Sequence, residues 1–461
     1  MWFAFPGPES FAMASLGYLW LFRAIDMLPD IDIERIYADT KTTRIYRENI
    51  NLIGFSFSFD MDFLSIFQIL ENNKLALKAK DRKESDPLIF VGGPVITSNP
   101  EPYKEIFDFM IIGDGEEPNF QAIQLCKENK NKPKSEILKL LSEIEGVYVP
   151  SLNPQKVKKA TKKLTECIYT PILSENSFFP NTFIIEVERG CANRCAFCIA
   201  SYINLPIRFV EYQQIIDAID LGLKHTNKLA LLGAQVTAHP KFKEICKYID
   251  NKIKQGENIE MSVSSLRVDS FTPEVVQTLV DAGQKNLTLA IEAGSERLRK
   301  LINKNLNEEQ IYKAIEVAKS CGLKGIKFYG MLGIPTETIE DIDEIIKLAK
   351  NIKKNHKGFD ISFGFSTFVP KANTPLQWFG REDGKSLEKK SNYLKKELHK
   401  IGVQSSISSP KWDYYQAVLS RGWEFNRLSH RNLQSRRQNW SLQKSSQRFK
   451  NQHRLLRNRE L

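Results

Sequence analysis

The sequence predicts an α/β protein built from two successive parallel-sheet domains. Short segments rich in Ile, Val and Phe alternate with segments of helical periodicity through residues 1–150, and the alternation returns through residues 178–370. Glycine turns stand at the ends of several predicted strands. A chain of 461 residues has room for two or three such domains.

The N-terminal domain, residues 1–150, is predicted as a Rossmann-like parallel sheet with helices on both faces. A helix is expected over Ser10–Leu28, with Ser10 as its N-cap. The glycine turns Gly92-Gly93-Pro94 and Gly113-Asp114-Gly115 either contact a ligand or permit tight turns, and both interpretations stay open. The predicted strands are Trp2–Pro6, Ile31–Ala38, Leu52–Phe59, Leu88–Val91, Phe107–Ile112 and Val147–Val149.

After a linker at residues 151–177, residues 178–400 are predicted to form a partial (β/α)6 barrel. Helical periodicity marks the intervening segments, as in Tyr212–Leu223. A C-terminal extension is expected at residues 401–422. The six predicted strands are Phe183–Glu188, Lys228–Gly233, Ile259–Ser264, Asn286–Glu292, Leu323–Leu332 and Asp360–Phe368.

Three cysteines follow the first barrel strand directly: Cys191, Cys195 and Cys198, in the spacing Cys-x3-Cys-x2-Cys. Closely spaced thiolates favour an iron–sulfur cluster or zinc. Structural zinc normally takes four ligands, and no other Cys or His lies within twenty residues. A disulfide would leave one thiol unpaired. Three thiolates leave one iron of a cluster open to a substrate or cofactor, and βα barrels place chemistry at this end of their strands.

The cysteine trio, with Phe197 before its third member, resembles the radical S-adenosylmethionine (SAM) superfamily. The resemblance implies a [4Fe–4S] cluster on the three cysteines and SAM on its open iron. It also implies reductive cleavage of SAM, with electrons from a donor of the ferredoxin or flavodoxin type. The alternatives are a glycine turn at Gly233, a surface loop around Arg267 and a helix cap at Glu292. The residues implied to contact SAM are Phe197, Gly233, Ser264, Ser265, Arg267, Glu292 and Gly333.

Residues 1–422 resemble a branch of that superfamily with an N-terminal cobalamin-binding-like domain. Residues 1–150 contain no histidine, so cobalamin would bind without a histidine lower ligand from this domain. The alternative is a Rossmann-like domain that serves substrate docking or packing. Methylthiotransferases carry a second cysteine trio in this region. Here only Cys126 is present, which argues against that activity.

The net charge of +11 is concentrated at the C-terminal end: residues 423–461 carry +8 and the remainder +3. This basic segment is predicted to be a disordered tail, either a degenerate extension or an RNA-binding segment. Because the body is nearly neutral, nucleic acid is not expected as the main partner. No apolar run is long enough for a membrane span, and a cytoplasmic location is expected.

Three functional hypotheses follow from the sequence. The first is a radical SAM enzyme acting on an unknown substrate, by methyl transfer or rearrangement with cobalamin or by hydrogen abstraction without it. The second is a non-catalytic iron–sulfur protein, such as a redox sensor or scaffold. The third is an RNA-modifying or RNA-binding protein that uses the basic tail.

Overall fold

The computed structural model describes residues 1–39, 50–152, 156–263 and 266–422. Two residues of the predicted site, Ser264 and Ser265, lie outside the described residues. The predicted basic tail, 423–461, also lies outside them.

The N-terminal domain is a six-stranded sheet in the order β2-β1-β3-β4-β5-β6, parallel except for the last pair. Parallel strands must be joined by crossovers, and helices supply most of them. The strands are β1 (Trp2–Phe5), β2 (Glu34–Tyr37), β3 (Leu52–Ser56), β4 (Leu88–Gly92), β5 (Phe109–Ile111) and β6 (Val147–Tyr148). The helices are α1 (Glu9–Ala12), α2 (Leu16–Asp26), α3 (Phe63–Asn72), α4 (Pro94–Ser98), α5 (Glu116–Glu128) and α6 (Lys134–Leu141).

The helix predicted over Ser10–Leu28 is two helices. Ser15 has an extended backbone, with φ −92° and ψ 98°, and separates α1 from α2. Serine favours such a position because its side chain competes for backbone hydrogen bonds outside helices. From β1 the chain first adds β2 on one side and then β3 on the other, so the strand order reverses between β1 and β3. Ligands of such sheets bind at the carboxyl ends of the strands next to this reversal.

A second series of parallel strands forms the partial barrel. It pairs in the orders β7-β10-β11 and β12-β13-β14-β15, and a bridge between Leu266 and Leu289 joins the two groups. A short ribbon, β8 with β9, branches off after the first strand. The strands are β7 (Phe183–Glu186), β8 (Glu188–Arg189), β9 (Arg208–Phe209), β10 (Lys228–Leu232), β11 (Glu260–Val263), β12 (Asn286–Glu292), β13 (Gly325–Leu332), β14 (Asp360–Thr367) and β15 (Gln404–Ile407).

Helices cover the outer face of the barrel, and their apolar sides complete one large core with the strands. They are α8 (Tyr212–Leu223), α9 (Phe242–Lys254), α10 (Pro273–Asp281), α12 (Glu308–Ser320), α13 (Ile339–Asn355) and α14 (Gly384–Lys400). Two shorter helices, α7 (Ala200–Ile203) and α11 (Glu296–Leu301), lie outside that core. The predicted α/β class, with a Rossmann-like sheet followed by a partial barrel, is confirmed.

The barrel has one parallel strand more than the six predicted. Gln404–Ile407 pairs in parallel with β14, so part of the predicted C-terminal extension belongs to the barrel sheet. This edge strand reads Gln-Ser-Ser-Ile. It lacks the apolar run that identifies the other strands from sequence, because an edge strand buries less surface.

The last described helix, α15 (Pro410–Arg421), returns to the N-terminal domain. Leu419 is 1% exposed and lies in the same core cluster as Trp2 and Phe55. The hydroxyl of Ser420 donates a hydrogen bond to Asp60 Oδ1 at 3.0 Å. The two domains therefore share part of their packing.

Among the described residues, no helix has the length and apolar character needed to span a membrane.

Candidate functional site

The three cysteines lie on one loop, residues 190–207, whose base is closed by the β8–β9 ribbon; we call it the cysteine loop. In this ribbon Arg189 directly opposes Arg208. Gly190 begins the loop with φ of 97°, and a Cβ atom there would lie 2.6 Å from the carbonyl oxygen of Asn204. A residue without a side chain is therefore required where the two ends of the loop approach each other.

The three thiols differ in burial. Cys191 is 7% exposed and Cys195 6%, whereas Cys198 is half-buried. Burial raises the pKa of Cys195, against the opposing effect of Lys304. Burial also raises the pKa of Cys198, against two backbone N–H groups at the start of α7. Thiols bind metal as thiolates, so metal uptake at this loop releases protons.

Contacts with later parts of the barrel hold the middle of the cysteine loop. The backbone N–H of Ala196 donates to the carbonyl of Ile302 at 2.9 Å, and its carbonyl accepts from Leu376 at 3.2 Å. The Asn303 side chain donates to two loop carbonyls, including that of Asn193 at 3.1 Å. The loop is thus fixed against the segments that follow β12 and β14.

Phe197, a predicted site residue, is partly buried and packs against an apolar cluster at the same end of the barrel. Its contacts place the third cysteine beside the ends of β12, β13 and β14. The cluster consists of Ala196, Ala293, Leu298, Ile302, Met331, Ile334, Phe368 and Leu376.

A buried ion pair lies beside the cysteines. Lys304 Nζ is 3.1 Å from Glu292 Oε1, and the two side chains are 8% and 13% exposed. Glu292 ends β12 with φ of 67°, a left-handed conformation that is strained for a residue with a side chain. Both groups interact electrostatically with the thiol of Cys195, as does Arg267, which is paired with Asp269 at 2.9 Å. The structure thus brings two predicted residues, Arg267 and Glu292, to the cysteines and adds Lys304.

Glu188, which precedes the loop, is a carboxyl group only 2% exposed. Its Oε1 accepts a hydrogen bond from the backbone N–H of Gln235, and Oε2 has no hydrogen-bond partner among the described residues. Burial raises the pKa of Glu188 to about 7, against that N–H group. A Cβ atom on Gly233 would lie 2.4 Å from the Glu188 side chain. The predicted Gly233 therefore permits a close approach between the end of β10 and this carboxyl group.

A polar connection joins the end of β10 to the first cysteine. The Asn193 side-chain amide donates to Cys191 Sγ at 3.3 Å and to the Gln235 side-chain oxygen. Hydrogen bonds to cluster sulfur are one of the ways in which a protein tunes a cluster's potential. Asn193 and Glu188 were missed from the sequence, although both adjoin the cysteine spacing.

Gly333, which the resemblance implies as a SAM contact, lies at a tight turn. It follows β13 with φ of 76°, and its N–H donates to Glu337 Oε2 at 2.7 Å. A Cβ atom there would lie 2.6 Å from Leu387. These contacts give it a turn and packing role, and its contact with SAM stays a prediction.

The donor set suits an iron–sulfur cluster of which the protein ligates three irons. No group of three His, Cys, Asp or Glu side chains within residues 1–39, 50–152, 156–263 and 266–422 is arranged to hold a single metal ion. A cubane cluster presents a separate iron to each thiolate, so its ligands need to surround it rather than converge on one point. Cys191, Cys195 and Cys198 lie on one loop, and Cys198 interacts electrostatically with each of the other two.

A crevice lies between the carboxyl edge of the N-terminal sheet and the barrel, and Ile199, next to the third cysteine, lines it. Its volume is about 230 Å³. Small-ligand sites usually measure about 300–1,000 Å³. The crevice as described is therefore somewhat smaller than a usual small-ligand site. The lining residues are Ser58, Phe59, Asp60, Val95, Ser98, Ile199, Lys371 and Gln416.

The four remaining cysteines lie in separate segments of the chain. Cys126 belongs to α5 and Cys246 to α9, whereas Cys167 and Cys321 lie outside helices and strands. Burial raises the pKa of Cys126, Cys167 and Cys246 to about 12. Thiols with such a raised pKa are poor nucleophiles at neutral pH.

A three-cysteine loop after the first strand of a partial βα barrel is typical of enzymes whose iron–sulfur cluster has one iron without a protein ligand. Family comparisons agree. Residues 17–150 match the family described as "Radical SAM proteins, N-terminal", and residues 185–349 match "Radical SAM superfamily". The chain belongs to the radical SAM superfamily.

Two curated relatives illustrate the range of similarity. The uncharacterized protein MJ0966 of Methanocaldococcus jannaschii is 33% identical over 385 residues, which are 82% of this chain and 79% of the relative. The tRNA-2-methylthio-N(6)-dimethylallyladenosine synthase of Hydrogenobaculum sp. is 25% identical over 263 residues, 54% of this chain and 56% of the relative. This chain thus spans only about half of that second relative.

Solved structures share the fold. The radical SAM methyltransferase TsrM of Kitasatospora setae, with cobalamin and a [4Fe–4S] cluster bound, superposes with a TM-score of 0.59 at 14% identity, covering 81% of this chain and 76% of TsrM. The cobalamin-dependent radical SAM enzyme OxsB, with aqua-cobalamin and SAM bound, gives a TM-score of 0.57 at 16% identity, covering 86% of this chain and 56% of OxsB. Membership of the superfamily makes this chain an enzyme that uses a [4Fe–4S] cluster and SAM.

Proposed function

We propose that Cys191, Cys195 and Cys198 ligate the [4Fe–4S] cluster and that SAM binds at the open iron beside them. When bound and reduced, the cluster supplies the electron that cleaves SAM to methionine and a 5′-deoxyadenosyl radical. The observation that carries the proposal is the cysteine loop itself. It is braced at its base and in the middle, at the carboxyl end of the first barrel strand.

The charged groups around the loop suit the amino-acid end of SAM. Arg267 and Lys304, which also pair with Asp269 and Glu292, lie near Cys195, and the SAM carboxylate is proposed to bind beside them. Glu188 offers a buried carboxyl oxygen that has no partner among the described residues, where a donor would bind. These residues orient SAM; the predicted Ser264 and Ser265 also stay in the proposal as ribose or carboxylate contacts.

The substrate is proposed to enter by the crevice between the two domains. The crevice adjoins Ile199 and is lined on its polar side by Asp60, Lys371 and Gln416. Asp60 and Lys371 form an ion pair at 2.5 Å, so their charges cancel. The crevice therefore favours a small polar substrate without strong net charge. The electron is proposed to come from a ferredoxin or flavodoxin.

In this proposal residues 1–150 form the N-terminal domain and residues 178–400 the radical SAM core. The segment at 151–177 links them and touches both: Ala160 pairs with Gly113, and Tyr169 pairs with Ile185.

Anaerobic reconstitution with iron and sulfide tests the function. The expected result is a cluster absorption band, an electron paramagnetic resonance (EPR) signal on reduction that changes when SAM is added, and formation of 5′-deoxyadenosine. Replacing all three loop cysteines by alanine should abolish each of these. Cys126→Ala, which alters a cysteine of α5, should retain them.

A cluster whose EPR signal ignores SAM would instead favour the redox sensor or scaffold. Intact SAM under conditions that activate a known radical SAM enzyme would contradict the proposal. Parallel assays with hydroxocobalamin test the second candidate, methyl transfer through cobalamin, which the fold shared with TsrM and OxsB suggests.

A further inference from the structure

Two arginine side chains meet at the base of the cysteine loop. Arg189 and Arg208 are directly opposed on β8 and β9, a position where like charges destabilise a strand pair. Their side chains are only 15% and 11% exposed, so water screens the repulsion weakly. Glu186 pairs with Arg189 in bidentate fashion, at 3.0 and 2.8 Å. This barrel carboxylate provides one negative charge against two positive charges.

The N-terminal domain provides the remaining negative charge. Asp114 Oδ1 lies 3.1 Å from the Arg189 guanidinium, and Asp114 Oδ2 accepts a hydrogen bond from Arg208. Glu116 Oε1 forms a further ion pair with Arg189 at 2.9 Å. Burial alone would raise the pKa of Asp114, but Arg189 and Arg208 outweigh it and hold the pKa below its ordinary value. Asp114 is therefore a charged bridge between the two sides of the loop's base.

The turn that carries Asp114 is itself fixed. Gly113 has φ of 105°, a conformation that favours glycine. The Asp114 N–H donates to the carbonyl of Ala160 at 3.0 Å, and its carboxylate accepts from the Lys162 N–H at 2.8 Å. The Lys159 ammonium donates to two carbonyls of the cysteine loop, at 2.9 and 2.6 Å. The N-terminal domain and the linker thus hold the loop's base together.

We propose that Asp114 is a positioning residue for the cluster. By bridging Arg189 and Arg208 it closes the base of the cysteine loop and keeps the three thiols in the arrangement that retains iron. The inference rests on the proposed function, in which these thiols are the cluster ligands. Outer contacts that orient metal ligands typically change metal affinity by about 10- to 100-fold when removed.

The test compares iron loss from full-length reconstituted variants. Asp114→Asn should release iron to a chelator at least about 10-fold faster than the unaltered chain. Asp114→Glu, which keeps the charge, should recover most of the slow release. The matched control is Asp108→Asn, because Asp108 forms an equally buried pair with Arg82 at 2.9 Å in the same domain. This control should melt at a lower temperature yet release iron within about twofold of the unaltered rate.

Equal acceleration in the Asp114 and Asp108 variants would show a general loss of stability and overturn the proposal. So would an unchanged rate in Asp114→Asn. If Asp114→Asn takes up no iron while Asp108→Asn takes up its full complement, the proposal is supported. An unaltered chain that assembles no cluster would defeat the proposed function instead, so the two failures are distinguishable.

Discussion

Glu188 combines deep burial with an unpartnered oxygen among the described residues, and this gives its ionisation a measurable cost. The pKa of this carboxyl is about 7, against an ordinary value of 4.5. Folding therefore favours the protonated form. The ionisation of Glu188 therefore lowers the free energy of unfolding. This loss of stability is absent below pH 4.5, grows as the pH rises from 4.5 to 7, and is complete above pH 7.

Glu188→Gln should accordingly stabilise the metal-free protein at pH 8, by up to about 3 kcal/mol, with little effect at pH 4.5. The amide keeps the oxygen that accepts from Gln235 and removes the charge. Urea denaturation at several pH values measures the difference. Glu186→Gln is the control; it disrupts an ion pair with Arg189 and should stabilise at neither pH. A pH-independent effect of Glu188→Gln would contradict the prediction.

Lys304 is the cation that balances Glu292 beside the cysteines. Lys304→Met should destabilise the protein by about 3 kcal/mol, because it leaves a buried carboxylate unpaired. The double variant with Glu292→Gln should recover much of that loss, since it removes the uncompensated charge. Chemical denaturation of the single and double variants provides the measurement. Equal stability of the single and double variants would contradict the prediction.

At this scale the sequence predicts what lies together along the chain. The cysteine trio is recognisable because its members are close in sequence and share one chemistry. The roles of Lys304 and Glu188 are not recognisable from sequence, because they depend on contacts between segments that are separate along the chain. For Gly333 the sequence predicts a ligand contact but not its packing against Leu387, because that neighbour lies far along the chain.

Among the elements, α15 joins the barrel to the N-terminal core. Leu419 is buried in the N-terminal cluster, and Trp412 and Tyr415 pack against the same cluster. Lys371, which follows β14, pairs with Asp60 of the N-terminal domain. Both contacts fix how the sheet edge faces the barrel.

Leu419→Ala should therefore destabilise the protein by about 2–5 kcal/mol, and the loosening should appear in the N-terminal domain. Hydrogen exchange resolved by peptide measures this, with faster exchange expected in β1 and β3. The matched control is Leu398→Ala on α14, whose side chain is 0% exposed and lies in the barrel core. That variant should loosen the barrel strands instead. Faster exchange confined to the barrel in Leu419→Ala would refute the assignment.

The sequence predicts the apolar strands of the barrel but misses β15. Its polar residues carry no periodic signal, and its pairing with β14 is decided by tertiary contacts. The break between α1 and α2 was missed for a related reason: apolar residues continue across Ser15, while the backbone does not remain helical there.

Across the whole molecule, the positive charge is concentrated in residues 423–461, whereas residues 1–422 are nearly neutral. Full-length protein should be retained by RNA or heparin at low salt and released as salt increases, because counterion release drives such binding. A chain ending at Gly422 carries a net charge of only +3 and should elute near the start of the gradient. Strong retention of the shortened chain would place a nucleic-acid surface on the body and revive the third hypothesis.

The contact of α15 with the N-terminal core also has a consequence for synthesis on the ribosome. Domains emerging from the ribosome generally fold N-terminal end first. Here the core around Trp2 and Phe55 receives Leu419 only after about four hundred further residues have been made. Until then the apolar surface that α15 covers stays open to solvent and to chaperones. The N-terminal domain is thus translated before the barrel but completed only after it, when α15 has been made.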